Sequence, residues 1–288
     1  MPMPSLIPTT YDSVTAFRDR IQPFLMRQEA ANNLMLGLIH TLIVAPQHFD
    51  AAPYLATVDR DGEVAAACLR TPPHNLILST TEYPEAIEPL ATFLHDASVV
   101  LPGVTGPTAL STAFADHWQR LAGGRVERLR ALRIFALHQV RPVPGVAGSL
   151  REATHHDRAL LIAWVTAFSH EAVTATDPGR IAHAVDGRLE SEDGGFWLWE
   201  VAGEPVSLVG AIGPTPTGIR IGPVYTPPEQ RRHGYASAAT AAVSQHLLDA
   251  GRAFCFLYAD LANSTANRIY QVIGYESVCD AADFVFRQ

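Results

Sequence analysis

The chain has 288 residues, a formal net charge of −8, an apolar fraction of 48% and three cysteines. A chain of that length can bury one large core or two ordinary ones. Its acidic balance argues against a general surface for nucleic acid or anionic membrane, and suits a cationic substrate.

Cys68, Cys255 and Cys279 are odd in number and carry no metal spacing, so they read as reduced thiols of a cytoplasmic protein. The N-terminal Met-Pro-Met-Pro-Ser-Leu-Ile-Pro has no basic region ahead of an apolar core. No apolar run reaches about 18 residues, so neither a signal peptide nor a membrane span is expected.

Helical patterns follow over residues 13–26 and 28–42, then a strand over 54–58. Asp59-Arg60-Asp61-Gly62 predicts a hairpin turn, with Asp-Gly supplying the bend. Strands are expected over 63–70 and 75–80, a helix over 85–97, a short strand near Val104, a helix over 110–122 and a closing strand over 128–140. Arg141-Pro-Val-Pro-Gly-Val-Ala-Gly148 breaks the pattern, which places a boundary between domains 1–146 and 147–288.

The second half repeats the plan. A strand is expected over 150–153, helices over 157–171 and 178–190 with Asp177-Pro178 as a start signal, and strands over 196–201, 206–211 and 219–225. Ala236, Ala239, Thr240, Val243, Leu247 and Ala250 then recur at helical spacing, Gly251 stops the run, and 253–258 reads as a strand. The fold class expected is α+β, a tandem pair of similar domains, each with a mixed, mostly antiparallel sheet flanked by helices.

Between the strand at 219–225 and the long helix lies Arg231-Arg232-His233-Gly234-Tyr235-Ala236. The first N–H groups of a helix lack intrahelical partners and the helix dipole adds partial positive charge, which together make an anion site. Gly234 allows close approach of a phosphate to the backbone, and the arginines add charge. A plain strand-to-helix turn with a solvated basic tip is the blander explanation. The equivalent point of the first half, Thr81-Glu82-Tyr83-Pro84-Glu85, has no glycine and two carboxylates, so it is not expected to hold a pyrophosphate.

Arg231-x-x-Gly234-x-Ala236 resembles the acyl-CoA pyrophosphate loop of the GCN5-related N-acetyltransferases, the GNAT superfamily. Asn263-x-x-Ala266-x-x-x-Tyr270-x-x-x-Gly274-Tyr275 resembles that family's downstream motif. The family's loop usually has Arg or Lys where this chain has His233, and a neutral imidazole supplies less to a phosphate. The resemblance implies tandem GNAT-like domains with a degenerate N-terminal half. The implied activity is transfer of an acetyl group from acetyl-CoA, without a metal, to a primary amine of a small molecule.

A protein or peptide amine, or a non-catalytic acyl-CoA sensor, are the alternatives. The implied partners are a small-molecule amine, no nucleic acid and no membrane; a homodimer is compatible with the sequence. By position, the resemblance implies Val224, Tyr225, Arg231, Arg232, His233, Gly234, Tyr235, Ala236, Asn263 and Asn267 as cofactor-binding residues and Tyr270 as general acid. Core packing would also account for Tyr270, and a helix N-cap for Asn263. Glu171, in the region that faces the acceptor in this family, is the candidate base. Glu200 and Asp260 remain open beside it, and surface solvation would explain all three. Phe196, Trp197, Trp199 and Trp164 line either an acceptor pocket or the core.

Overall fold

The structure, a computed structural model, describes residues 5–172 and 178–287. The chain forms two compact units. The first holds the chain up to Ile134, Tyr258–Asn263 and the stretch from Val278; the second holds Phe135–Leu257 and Ser264–Ser277. These units are discontinuous in sequence, whereas a cut at residue 146 divides the chain once.

The first stretch of chain runs β1 (Leu6–Thr10), α1 (Val14–Leu25), α2 (Asn33–Val44), β2 (Tyr54–Arg60), β3 (Glu63–Arg70), β4 (Leu76–Leu78), α3 (Ile87–Asp96), β5 (Gly103–Pro107), α4 (Thr108–Ala122) and β6 (Arg125–Leu137). The second repeats that order as β7 (Ser149–Glu152), α5 (Arg158–Glu171), α6 (Pro178–Leu189), β8 (Gly195–Val201), β9 (Glu204–Ile212), β10 (Gly218–Tyr225), α7 (Tyr235–Asp249), β11 (Phe254–Asp260), α8 (Ser264–Ile273) and β12 (Glu276–Arg287). Asp177, expected as the start signal of α6, lies outside the described residues.

Local chemistry accounts for three of the boundaries. Ser13 caps α1 by accepting from the Ala16 N–H at 3.2 Å. Asp61 and Gly62 take left-handed φ values of 53° and 86° in the β2–β3 turn. Gly251, at φ 99°, ends α7, and the Arg252 N–H returns to the Leu247 carbonyl.

The sequence pattern misses β1 because Pro8 interrupts it. The strand pairs antiparallel with β2, Pro8 opposite Val58, at the edge of the sheet, where a missing N–H is tolerated.

In the first unit the strand order is β1-β2-β3-β4-β5-β12, antiparallel apart from β4 and β5. Phe17, Ile21, Leu25, Met35 and Ile39 of α1 and α2 fill one core cluster; Ile87, Leu90, Leu94, Phe114 and Trp118 of α3 and α4 fill another. In the second unit the order is β11-β10-β9-β8-β7, with β10 and β11 the parallel pair. Leu161 of α5 and Ile181 and Val185 of α6 pack with Phe196, Leu198, Leu208 and Tyr225. Strand alternation turns Trp197 the other way, onto His246 of α7 at 5.7 Å. Burying each large side chain of this kind contributes about 1.5–3 kcal/mol.

Candidate active site

The site in the second unit is built on β10. That strand pairs with β11 over three positions, from Gly218 opposite Phe254 to Arg220 opposite Phe256. On its other side the pairing with β9 is interrupted by a bulge between Ile221 and Val224, where Gly222 takes φ 145°. Beyond the bulge Val224 opposes Val209 and Tyr225 opposes Leu208. The Tyr225 carbonyl accepts from Ser207 Oγ at 3.1 Å, and its ring lies 6.1 Å from that of Trp164. Phe196, Trp197 and Trp199 are buried.

The turn after β10 is exposed from Arg231 to Gly234. Arg232 and Gly234 are both left-handed, at φ 69° and 83°, and Gly234 is the N-cap residue of α7 without any side-chain cap. The first helical bond is from the Ala238 N–H to the Gly234 carbonyl, so the amides of Tyr235, Ala236 and Ser237 open the helix without an intrahelical acceptor. His233 Nδ1 sits 3.2 Å from the Gln230 carbonyl, which calls for a proton on that nitrogen, and its ring stacks on Tyr235 at 5.3 Å. Arg232 is exposed. Arg231 is held in place: its Nε donates to the Thr226 carbonyl at 2.9 Å, and its Nη2 donates to Glu171 at 2.6 and 2.9 Å. The expected phosphate ligand and the expected base are thus partners of one another.

The corresponding turn of the first unit is occupied by its own groups. The Tyr83 N–H donates to Thr81 Oγ1 at 2.8 Å, the Ala86 N–H to the Tyr83 carbonyl at 2.9 Å, and Arg60 lies over the Tyr83 ring while approaching Glu85 at 3.3 Å.

Two tyrosines of the downstream motif separate clearly. Tyr275 is buried and its hydroxyl meets Ser244 Oγ of α7 at 2.8 Å. Tyr270, on α8, rests against Phe135 and Tyr275 at 6.2 and 5.8 Å, yet its hydroxyl has no hydrogen-bond partner among the described residues. Burial pushes its phenol up to about 12. Gly274 has φ 112°, and a Cβ there would come within 2.9 Å of the Gln139 carbonyl. Asn267 is a half-buried residue of α8. Asn263 donates its N–H to the Asp260 carbonyl at 3.0 Å, in the last residues of the segment that belongs to the first unit.

Of the other carboxylates, Glu200 accepts from Arg151 Nε at 2.8 Å, and Arg151 also holds Asp157 in two bonds. Those bonds pull the Asp157 carboxyl down to about 2. Asp260 accepts from the Ala262 N–H at 2.7 Å. Among the described residues no group of His, Cys, Asp and Glu is arranged to hold a metal ion, and no helix is long and apolar enough to cross a membrane.

The same order of strands and helices in both stretches, with an open helix terminus in the second, defines the architecture: the chain has the GCN5-related N-acetyltransferase fold in tandem. A family model described as FR47-like protein matches residues 201–285, which span the turn and the downstream motif. Three solved structures share the fold over nearly the whole chain. A GNAT-family acetyltransferase from Colwellia psychrerythraea is 11% identical with a TM-score of 0.61, covering 98% of this chain and 100% of that one. A Drosophila protein is 11% identical with a TM-score of 0.66, covering 99% of each. A tandem GNAT protein from the clavulanic acid biosynthesis pathway is 12% identical with a TM-score of 0.54, covering 97% of each. No protein of curated function matches by sequence.

Proposed function

We propose that this chain is a cytoplasmic N-acetyltransferase that moves an acetyl group from acetyl-CoA to a primary amine of a small molecule, using the second half, residues 147–288. The observation that carries this reading is the uncapped first turn of α7, which follows a left-handed Gly234 and an exposed Arg232. A pyrophosphate bound there would accept from the first amides of the helix and draw on the helix dipole.

Val224 and Tyr225 offer main chain beside the bulge. Tyr270 donates a hydrogen bond to the departing thiolate. A phenol at about 12 is a weaker acid than a thiol near ~8.5, and the gap of about 3.5 units corresponds to about 4.8 kcal/mol. Tyr270 therefore stabilises the thiolate by donation and holds its own proton until the sulfur carries charge. A lysine-like amine must lose a proton first, at a cost of about 4.6 kcal/mol at pH 7. Glu171 is the carboxylate assigned to take it, once phosphate has drawn Arg231 away.

Thiol release from acetyl-CoA, followed over a panel of amines, tests the reading. Turnover with a subset of amines is expected; tight CoA binding with no acetylated amine would favour a sensor instead. The engagement of Glu171 with Arg231 and of Glu200 with Arg151 is the observation on the sensor's side.

A further inference from the structure

Arg188 stands on the last turn of α6 and carries a positive charge into the second unit without a carboxylate partner. Its Nη1 donates to the Gly222 carbonyl in the β10 bulge at 3.2 Å, and its guanidinium carbon lies 4.6 Å from the centre of the Phe196 ring. Its Nε is sealed from solvent and has no hydrogen-bond partner, and no ion pair to Arg188 forms among the described residues. Arg151 in the same unit shows the ordinary arrangement, with Asp157 and Glu200 around it. Space for the Arg188 head is made by Gly210 on β9. A Cβ there would lie 2.8 Å from Nη1, 2.9 Å from the Gly222 carbonyl and 3.0 Å from Pro223. Burial, and then the positive charge of Arg220, push Arg188 down to about 9, still protonated at neutral pH.

Burying a cation without a counter-charge is unfavourable, and replacing such a group by a well-packed apolar one is often neutral or stabilising. A purely structural role explains this residue poorly. One bond to a carbonyl and one aromatic contact use little of a five-donor fork, and the Nε–Nη2 edge is left unused. Of that edge Nη2 is the donor not sealed from solvent, and a guanidinium N–H there suits a carboxylate in a charge-assisted bond. The head also sits at the bulge of the strand that leads into the Arg231–Ala236 turn, and Arg188 as a whole is not closed off from solvent.

We propose that Arg188 binds an anionic group of the acceptor, and that the amine acetylated also carries a carboxylate, in the manner of an amino acid. The assignment of the acceptor rests on the acetyltransferase reading; the anion site itself does not. Two measurements on the full chain separate them. Calorimetric titration with amine-free carboxylates (acetate, butyrate, benzoate) and with inorganic phosphate reads the site directly. Thiol release from acetyl-CoA over pairs of amino acids and the amines lacking only the carboxylate reads the acceptor.

Carboxylates are expected to bind the wild type and to bind Arg188→Met at least tenfold more weakly. The member of each pair with a carboxylate should have at least a tenfold higher kcat/KM, expressed in KM, and the gap should close in Arg188→Met. That variant should melt at or above the wild-type temperature, because it loses a buried unpaired charge. Arg188→Lys, which keeps the cation but not the planar fork, should melt like the wild type and bind carboxylates more weakly.

The site is overturned by wild type that binds no carboxylate, by equal carboxylate binding in Arg188→Met, or by phosphate binding that weakens in Arg188→Met more than carboxylate binding does. A lower melting temperature in Arg188→Met with equal loss of kcat for both members of each pair would overturn it in favour of a structural role. Carboxylate binding through Arg188 with no amine acetylated would keep the anion site and overturn the assignment of the acceptor.

Discussion

Arg231 Nη2 lies 2.6 and 2.9 Å from the two carboxylate oxygens of Glu171, across 60 residues of sequence. Both side chains are about half exposed, so the pair contributes little to stability, in the range of ~0.2–1 kcal/mol for surface ion pairs. Its effect is on ligand binding: a phosphate that recruits Arg231 must displace Glu171, and in doing so releases a carboxylate.

Glu171→Gln should therefore tighten CoA binding by up to about fivefold, the equivalent of that ~1 kcal/mol. If Glu171 accepts the amine proton, kcat should fall by about 10²-fold in the same variant. Calorimetry with CoA and steady-state kinetics read the two effects separately. Weaker CoA binding would show that the ion pair supports the phosphate site, and an unchanged kcat would move the base elsewhere.

The contrast between the two turns leads to a stoichiometry of one acyl-CoA per chain. In the first unit the amides of Tyr83 and Ala86 are already bonded, and Glu82 and Glu85 add repulsion. Gly234→Glu should abolish CoA binding. It should also cost about 1–2 kcal/mol of stability, since Gly234 is left-handed and a Cβ there would sit 3.0 Å from Val146. Titration of wild type and variant, with thermal melts alongside, checks both. A stoichiometry near two, or tight binding retained in a folded Gly234→Glu chain, would place a cofactor in the first unit.

Tyr270→Phe keeps the ring against Phe135 and Tyr275 and removes only the unbonded hydroxyl. The phenol is a weak acid at about 12, so its contribution belongs at the low end of the ~10²–10⁴-fold range for acid–base groups. Expected is a loss of up to about 10² in kcat with CoA affinity unchanged. The same pKa implies that no alkaline limb due to Tyr270 appears in the rate profile up to pH ~10. A wild-type kcat in the variant, with chemistry rate-limiting, would reduce Tyr270 to a packing residue.

Stability should fall on the alkaline side. Burial raises the thiols of Cys68 and Cys255 to about 12, against an unfolded value of ~8.5. Above that unfolded value the unfolded chain releases protons that the folded chain retains, so stability decreases with rising pH, by about 1.4 kcal/mol per unit for each thiol. The two together remove about 4 kcal/mol between pH 8 and pH 10, and Tyr270 adds to the slope only above ~10. Urea unfolding at pH 8 and 10 measures the difference, and a variant with Ala at positions 68 and 255 should reduce the slope, leaving the share of Cys279, whose thiol burial raises to about 11.

Much of this molecule was legible from sequence because the signals are local. Apolar spacing, Asp61-Gly62, and Gly234 ahead of a helical run each act over a few residues, and each takes the conformation its chemistry favours. What was not legible depends on distant partners. Nothing near Glu171 announces Arg231. Arg188, between Gly187 and Leu189, reads as an ordinary helical arginine, and only the bulge of β10 and the missing side chain of Gly210 make its burial visible. Pro8 hid β1 because edge position, which excuses a proline, is a property of the sheet.

The last strand has a consequence for the order of synthesis. From Val278 onward β12 belongs to the first unit, where it pairs with β5, Asp283 opposite Thr105, and contributes Ala282 and Phe284 to the core around α3 and α4. Asp283 there is also the partner of Arg130, at 2.7 Å. During translation α1 to α4 leave the ribosome with one edge of β5 unpaired and that core short of two side chains. The unit begun first is completed last, and a nascent chain halted between Pro107 and Val278 leaves that edge of β5 without its partner.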